Sequence, residues 1–378
     1  MQEPTWHANN HSIKVVDHIK QKIYMAGGSI SFADFMQSAL YAPNLGYYNA
    51  GCEKFGKHGD FITAPMLGEL FSFSVATQCS DILNELTNHN ILELGAGDGQ
   101  LAYQLIKYLT SHQYTHHKKI KLDNYFILEP SAELQVRQKK MLLNSNLDPF
   151  YKSKISWIST LPEHFTGIIL ANEVFDALPV HLFKLYNKQI LEKFVIFKDN
   201  KFDFIDVKAS ENLLNQILKL PINRANDINN TYESEICLLI PGLIKSLSLC
   251  LQKGAILLFD YGFLEHEYYH QDRNNGTLMC HYQHHAHPDP FFLPGLQDIT
   301  AHVNFSMIID CAIKNNLQVA EFSSLENFLI NNGLEQEFKT KIQMANKIQE
   351  YKLHQEINTL ISPSEMGEIF KVLLLKSK

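Results

Sequence analysis

No stretch of the 378 residues approaches the ~20 uncharged apolar positions that a bilayer-spanning helix needs. Membrane insertion is therefore not expected. The N-terminal run MQEPTWHANNHSIK also lacks the apolar h-region of a secretory signal. Cysteine is sparse: Cys52, Cys79, Cys237, Cys250, Cys280 and Cys311 are scattered, with no CxxC pair and no paired metal-ligand spacing. This argues against a disulfide scaffold and fits reduced thiols in a cytoplasmic protein. Positive charge is short as well. Lys and Arg total 33 against 40 Asp and Glu, and a net charge of −7 argues against nucleic acid as the partner. A small molecule or a protein fits better as substrate. With 45% apolar and 19% charged residues, the chain reads as globular rather than disordered. Its length allows a large core and about two domain-sized units.

What is present is an alternation of helices and strands. Residues 11–40 read as two helices, the second opening at Ser31 as N-cap. A Gly- and aromatic-rich loop spans Tyr41 to Pro65, and Met66–Leu86 reads as a helix. Short strands are expected at Ile91–Leu94, Tyr125–Leu128, Ile155–Ile158, Gly167–Ala171 and Ala255–Phe259, separated by helices, one of them opened by Pro130. Such alternation implies a parallel sheet covered on both faces. Val180–Val207 breaks the rhythm with three apolar alternations and a turn at Lys198-Asp199-Asn200, which predicts an inserted antiparallel meander. A helix is expected near Glu235–Leu251, with Ser234 as a candidate N-cap, and a long loop from Asp260 to about Ala301. Helix Ser306–Asn315, strand Val319–Phe322, helices over 325–355 and a last strand Phe370–Leu375 complete the pattern.

The first strand ends in Glu93-Leu94-Gly95-Ala96-Gly97-Asp98-Gly99 and runs into a helix. Glycines let the chain turn sharply and let a ligand lie on the backbone. The helix start beyond offers N–H groups and a positive dipole end, suited to a carboxylate. Alone, the run also fits a tight turn with no ligand. A dinucleotide-binding turn wants Gly-x-Gly-x-x-Gly, but here Gly99 comes one residue early and Gln100 holds the third position. Glu93 suits a charged amino group better than a pyrophosphate, and Glu129, closing the second strand, suits a ribose diol. A methyl donor, S-adenosyl-L-methionine, fits better than a nicotinamide.

Asn172 and Glu173 follow the fourth strand and should face the crevice at the carboxyl ends of the sheet. The string they belong to, NEVFDALPV (172–180), resembles the signature of the MidA-type methyltransferases, the family of a mitochondrial complex I assembly factor that methylates an arginine. GDFITAP (59–65), ELGAGDG, LEPS (128–131), YESE (232–235), FDYG (259–262), GTLMCHY (276–282) and DPFFLPGLQDITAHVNF (289–305) resemble further segments of that family, in order. The resemblance implies an α/β, Rossmann-like class I methyltransferase with a seven-stranded, mostly parallel sheet, an N-terminal helical segment and inserted substrate-side elements. It implies a helical segment with a cofactor-covering loop over 1–86 and a methyltransferase domain over 87–378, with insertions at about 180–234 and 262–305. Met66, Ser72, Glu233, Gln283 and Asn304 depart from the residues usual there.

Cofactor contacts are expected from Glu93, Gly95, Ala96, Gly97, Gly99, Glu129 and Asn172, and, by the resemblance only, from a lid formed by Gly59, Asp60, Phe61 and Thr63. An arginine nucleophile stays protonated in water, so carboxylates must grip it and favour proton loss. Glu173 and Asp176 are the catalytic candidates, although Asp176 alternatively caps a short helix after it. Asp260, Tyr261, Ser234, Glu235, His281 and His302 are candidate substrate contacts. His281, His284, His285 and His287 cluster, but Pro288, Pro290 and the lack of a cysteine pair favour a polar substrate loop over a metal site. The expected partner is a protein substrate, and the meander is a candidate homodimer surface. A methyltransferase for small molecules and a cofactor-binding assembly factor remain alternatives.

Overall fold

The structure is a computed structural model that describes residues 6–50, 63–111, 120–222 and 231–378. Gly59, Asp60 and Phe61 lie outside the described residues. The chain divides into two compact units: Met1–Phe61, Phe175–Gly242 and Phe263–Met307 form the first, and Ile62–Val174, Leu243–Gly262 and Ile308–Lys378 the second. The first boundary thus falls well before residue 86, and the N-terminal helices share a unit with both insertions.

The second unit holds the main sheet. Its strands run in the order Leu317–Ser324, Phe370–Ser377, Leu251–Phe263, Phe165–Asn172, Asn90–Leu94, Asn124–Leu128, Ile155–Ile158. Neighbours from Leu251–Phe263 to Ile155–Ile158 pair in parallel, whereas Phe370–Ser377 is antiparallel to both of its neighbours. This is the expected class I methyltransferase arrangement. The central strands read as unbroken apolar runs because helices cover both faces: Ile168–Ala171 and Ala255–Phe259 are fully or almost fully buried. Register aligns the carboxyl ends. Leu94 lies level with Leu128 on one side and Ala171 on the other, and Phe259 lies level with Asn172. The residues that follow these strands therefore gather at one edge of the sheet.

In the first unit, Ser31 caps the helix Phe32–Tyr41 by accepting from Asp34 N at 3.1 Å. The meander is present as His181–Tyr186, Gln189–Lys198 and Lys201–Lys208. Both of its turns, Asn187-Lys188 and Asp199-Asn200, have two consecutive positive φ angles, the backbone that matches the twist of a tight hairpin. Where a helix was expected from Glu235, the chain instead forms the strand Tyr232–Ile236 beside His181–Tyr186, and the helix starts at Ile240. Cross-strand pairing wins there, so Ser234 caps no helix. The expected loop after Asp260 also contains structure: the strand from Leu251 continues to Phe263, and Met279–Tyr282, His285–His287 and Asp298–Thr300 form a small sheet. Pro130 stands outside its helix, which Ser131 caps by accepting from Leu134 N at 3.2 Å.

Candidate active site

The glycine loop is built from positive backbone angles. Gly95, Gly97 and Gly99 have φ of 61°, 54° and 89°, conformations that cost any residue with a Cβ about 1–2 kcal/mol. Gly95 N donates to Leu128 O at 3.0 Å, tying the loop to the next strand. Gly99 N-caps the helix Gln100–Thr110 without a side chain, and Asp98 Oδ1 accepts from Gln100 N at 2.9 Å instead. Beneath the loop, Glu93 is 2% exposed and accepts from the Tyr125 hydroxyl at 2.7 Å. Burial pushes its carboxyl up to about 8; the Tyr125 bond opposes this, and Asp98 and Glu129 add to it.

Glu129 is also buried. One carboxylate oxygen accepts from Ser131 N at 2.9 Å and the other from Gln138 Nε2 at 3.0 Å. Gln138 makes a further bond to Gly97 O at 3.0 Å, and its Oε1 accepts from Trp157 Nε1 at 2.9 Å. Gln138 thus holds the glycine loop and Glu129 in fixed relation. Sequence reasoning missed both Tyr125 and Gln138. Tyr125 had a legible signal, since strand alternation puts it on the same face as Ile127 and Glu129; Gln138 had none.

At the end of the fourth strand, Asn172 Nδ2 donates to Glu173 Oε1 at 3.1 Å, and Glu173 N donates to Phe259 O at 2.9 Å. Glu173 has φ of 51°, a left-handed backbone that a glutamate adopts at a cost. Asp260, 1% exposed, lies one position beyond Phe259 and accepts from Tyr261 N at 3.0 Å; the Tyr261 ring packs edge-on against Phe370. The structure therefore brings Glu93, the glycine loop, Glu129, Asn172, Glu173 and Asp260 to one sheet edge.

These residues fit the methyl donor. Asn172 Oδ1 is buried with no hydrogen-bond partner among the described residues, an acceptor that a ligand amine would satisfy. The glycines present backbone without side chains, and the segment Glu93–Gly99 carries carboxylates but no Lys or Arg, which suits hydroxyl and amino groups better than a pyrophosphate.

The remaining candidates are placed differently. Thr63 precedes the short helix Ala64–Leu67 as its N-cap residue, with no side-chain cap bond. Asp176 belongs to the first unit, 5% exposed, with its carbonyl accepting from Ala301 N at 3.0 Å. A turn and not a helix follows it, so the capping alternative falls. Ser234 and Glu235 sit in the strand Tyr232–Ile236. Glu235 is 1% exposed and accepts from Tyr268 Oη at 2.7 Å, Thr277 Oγ1 at 2.7 Å and Thr277 N at 3.0 Å; burial raises its carboxyl above the usual range. His302, pushed down to about 4 by burial and by Arg273, lines a small pocket with Phe175, Cys237, Tyr268, Tyr269 and Asn304. His281 lies in the strand Met279–Tyr282, whose turn at Gln283-His284 has positive φ at both residues. The clustered histidines are thus hairpin residues. Among the described residues no three or more His, Cys, Asp or Glu converge in a way that could hold a metal.

Some departures from the family pattern find local employment. Asn304 Oδ1 accepts from Met307 N at 3.1 Å at the start of the following helix. Glu233 pairs with Lys193 at 2.5 Å.

Comparison with known proteins agrees with this geometry. Residues 74–323 match the model of a family described as S-adenosyl-L-methionine-dependent methyltransferases. A Caenorhabditis elegans protein named protein arginine methyltransferase NDUFAF7 homolog, mitochondrial, is 28% identical, over 98% of this chain and 87% of its own length. The human protein arginine methyltransferase NDUFAF7, mitochondrial, is 27% identical, over 97% of this chain and 84% of its own. A COG1565 superfamily member from Burkholderia thailandensis, solved bound to S-adenosyl-homocysteine, is 33% identical with a TM-score of 0.89, covering 100% of this chain and 95% of that one. The chain belongs to this family of S-adenosyl-L-methionine-dependent methyltransferases, the MidA type that its glycine loop and NEVFDALPV string resemble.

Proposed function

We propose that the chain methylates an arginine side chain of a partner protein, with Glu173 as the residue that grips the guanidinium. The carrying observation is Glu173 itself: a carboxylate at the sheet edge, on a left-handed backbone, with one oxygen held by Asn172. The names of the animal relatives support arginine as the target. When bound, the cofactor supplies a methyl group already activated by its sulfonium. Glu93, Gly95, Ala96, Gly97, Gly99, Glu129 and Asn172 would hold it, with Thr63 covering it.

The protein then has to orient the nucleophile. A carboxylate can meet a guanidinium through two parallel hydrogen bonds, fixing its plane and accepting the proton that the nitrogen gives up as the methyl arrives. Glu173 does this in our reading, with Asp176 as a second acid and Asp260, Tyr261 and His302 as substrate contacts. Ser234, Glu235 and His281 support the substrate side from within their strands. Cytoplasmic residence, read from the scattered cysteines, is part of the same proposal, the animal relatives being named mitochondrial.

The test is transfer of a tritiated methyl group into a cell lysate, followed by mass mapping of the labelled residue. Label on arginine, lost in Glu173→Gln while S-adenosyl-homocysteine still binds, is the expected result. Label on another side chain or on a small molecule would overturn the reading.

A further inference from the structure

Away from the crevice, one set of buried polar contacts joins three distant stretches of the second unit. Gln104 lies on the helix that begins at the glycine loop and is 1% exposed. Its Nε2 donates to Gly68 O at 3.0 Å and to Pro65 O at 3.3 Å, and its Oε1 accepts from Ser72 Oγ at 2.5 Å. From the far end of the chain, Glu356 of the helix Lys347–Ile361 reaches the same place. It is 5% exposed, and its Oε1 accepts from Leu70 N at 2.6 Å across 286 positions of sequence.

This arrangement replaces the usual local cap. Glu69 is the N-cap residue of the helix Leu70–Asn84 yet makes no cap bond; its carboxylate turns to Lys107 at 2.6 Å and Lys341 at 2.8 Å. Glu356 supplies the cap instead, and its carboxylate occupies the space where a side chain at Gly68 would be. A Cβ built on Gly68 would lie 1.9 Å from Glu356 Oε2 and 2.2 Å from its Cδ. A side chain at 68 would have to displace this carboxylate. A buried glutamine and a buried carboxylate are costly unless bonded, so leucines would fill the same space with less at stake. The polar groups buy fixed position: Gln104 pins the carbonyls of Pro65 and Gly68 to the cofactor helix, and Glu356 holds the start of the next helix at Leu70 N.

We propose that Gln104 and Glu356 are positioning residues for methyl-donor binding, Gln104 clamping the Ala64–Gly68 segment against the helix whose start forms the glycine loop and Glu356 fixing the end of that segment through the start of the next helix at Leu70. The inference rests on the glycine loop being the donor site. Calorimetric titration of the full chain with S-adenosyl-homocysteine, beside thermal melting without ligand, tests it. Gln104→Leu and Glu356→Leu should each weaken binding about tenfold, the effect of losing roughly one hydrogen bond's worth of positioning, and raise KM for the donor with kcat within about twofold. Ser72→Ala should do the same more mildly and serves if the other variants fold poorly. Leu360→Ala, a core truncation on the same C-terminal helix, should lower the melting temperature without changing the affinity. If the polar variants lose melting temperature but keep wild-type affinity, the clamp is merely structural and the proposal fails. A wild type that binds no S-adenosyl-homocysteine would overturn the donor-site reading, and the clamp with it.

Discussion

Tyr125 donates its hydroxyl to Glu93 at 2.7 Å beneath the glycine loop, in a position where burial drives the Glu93 carboxyl up to about 8. Near pH 7 the unliganded carboxyl is therefore mostly protonated. A ligand amine placed beside it favours the ionised form and must expel that proton. Binding of S-adenosyl-homocysteine at pH 7 should release a substantial fraction of one proton, and affinity should rise between about pH 6 and pH 8. Calorimetry in buffers of different ionisation enthalpy reads this directly. Glu93→Gln should abolish the release; a variant that still releases the proton would place its source elsewhere.

The same raised acids make the unliganded fold sensitive to pH. Glu93 at about 8 and Glu356 at about 7 both stand above the ordinary value of 4.5, so the folded chain holds their protons more tightly than the unfolded chain does. Their contribution is fully present below 4.5 and is lost as pH rises through 7 and 8. Burial is the chief cause for Glu356; its bond to Leu70 N and the charge of Lys341 oppose the shift, and Glu69 adds to it. Glu69 itself is lowered to about 2, with the Lys107 and Lys341 bonds outweighing burial, so its contribution is present above 4.5 and lost as pH falls through 2. The melting temperature should thus decline from pH 5 to pH 8 without ligand, and Glu356→Gln should flatten the part of that decline below pH 7. An unchanged slope in the variant would mean that Glu356 is not the titrating group.

How far these features could be read from the sequence depends on how local their causes are. The strands, the Ser31 cap and the Asp199-Asn200 turn were legible because each is set by neighbours within a few positions. So was the site edge, since Glu93, Glu129 and Glu173 all stand just at the ends of apolar runs. The strand Tyr232–Ile236 was not, because its state is decided by pairing with His181–Tyr186, some fifty positions back in sequence. Glu356 as a cap for Leu70 lay still further out of reach, with nothing in the residues around position 70 pointing to it. The compact units rest on a related cause: the N-terminal helices join the meander through tertiary packing, which composition does not record.

Glu173 gives a case in which function and stability should separate. Its φ of 51° costs a residue with a Cβ about 1–2 kcal/mol, a cost that glycine escapes. Glu173→Gly and Glu173→Ala should both lose methyl transfer, since neither supplies a carboxylate. The glycine variant should nevertheless be the more stable of the two by roughly 1 kcal/mol in urea unfolding, its greater unfolded-state entropy taking back part of the gain. Equal stabilities would show that the backbone relaxes once the side chain is removed, and that the strain belongs to the glutamate's own contacts.

Glu235 poses the opposite question, because its place in the first unit gives its carboxylate three donors from Tyr268 and Thr277. Thr277 works in two directions: Oγ1 donates to Glu235 at 2.7 Å and accepts from His302 N at 2.9 Å. Thr277→Val keeps the shape but leaves both neighbours short of a bond, so it should destabilise the protein by about 2–3 kcal/mol, and Thr277→Ser should restore most of the loss. S-adenosyl-homocysteine affinity should be unchanged in both. If Glu235 serves the substrate chiefly through this framework, Glu235→Gln will behave like Thr277→Val, losing stability first and substrate KM only in proportion. If the carboxylate meets the substrate itself, Glu235→Gln will raise that KM by more than Thr277→Val does at equal stability. Urea unfolding run beside substrate kinetics on the two variants distinguishes a carboxylate that shapes the unit from one that binds.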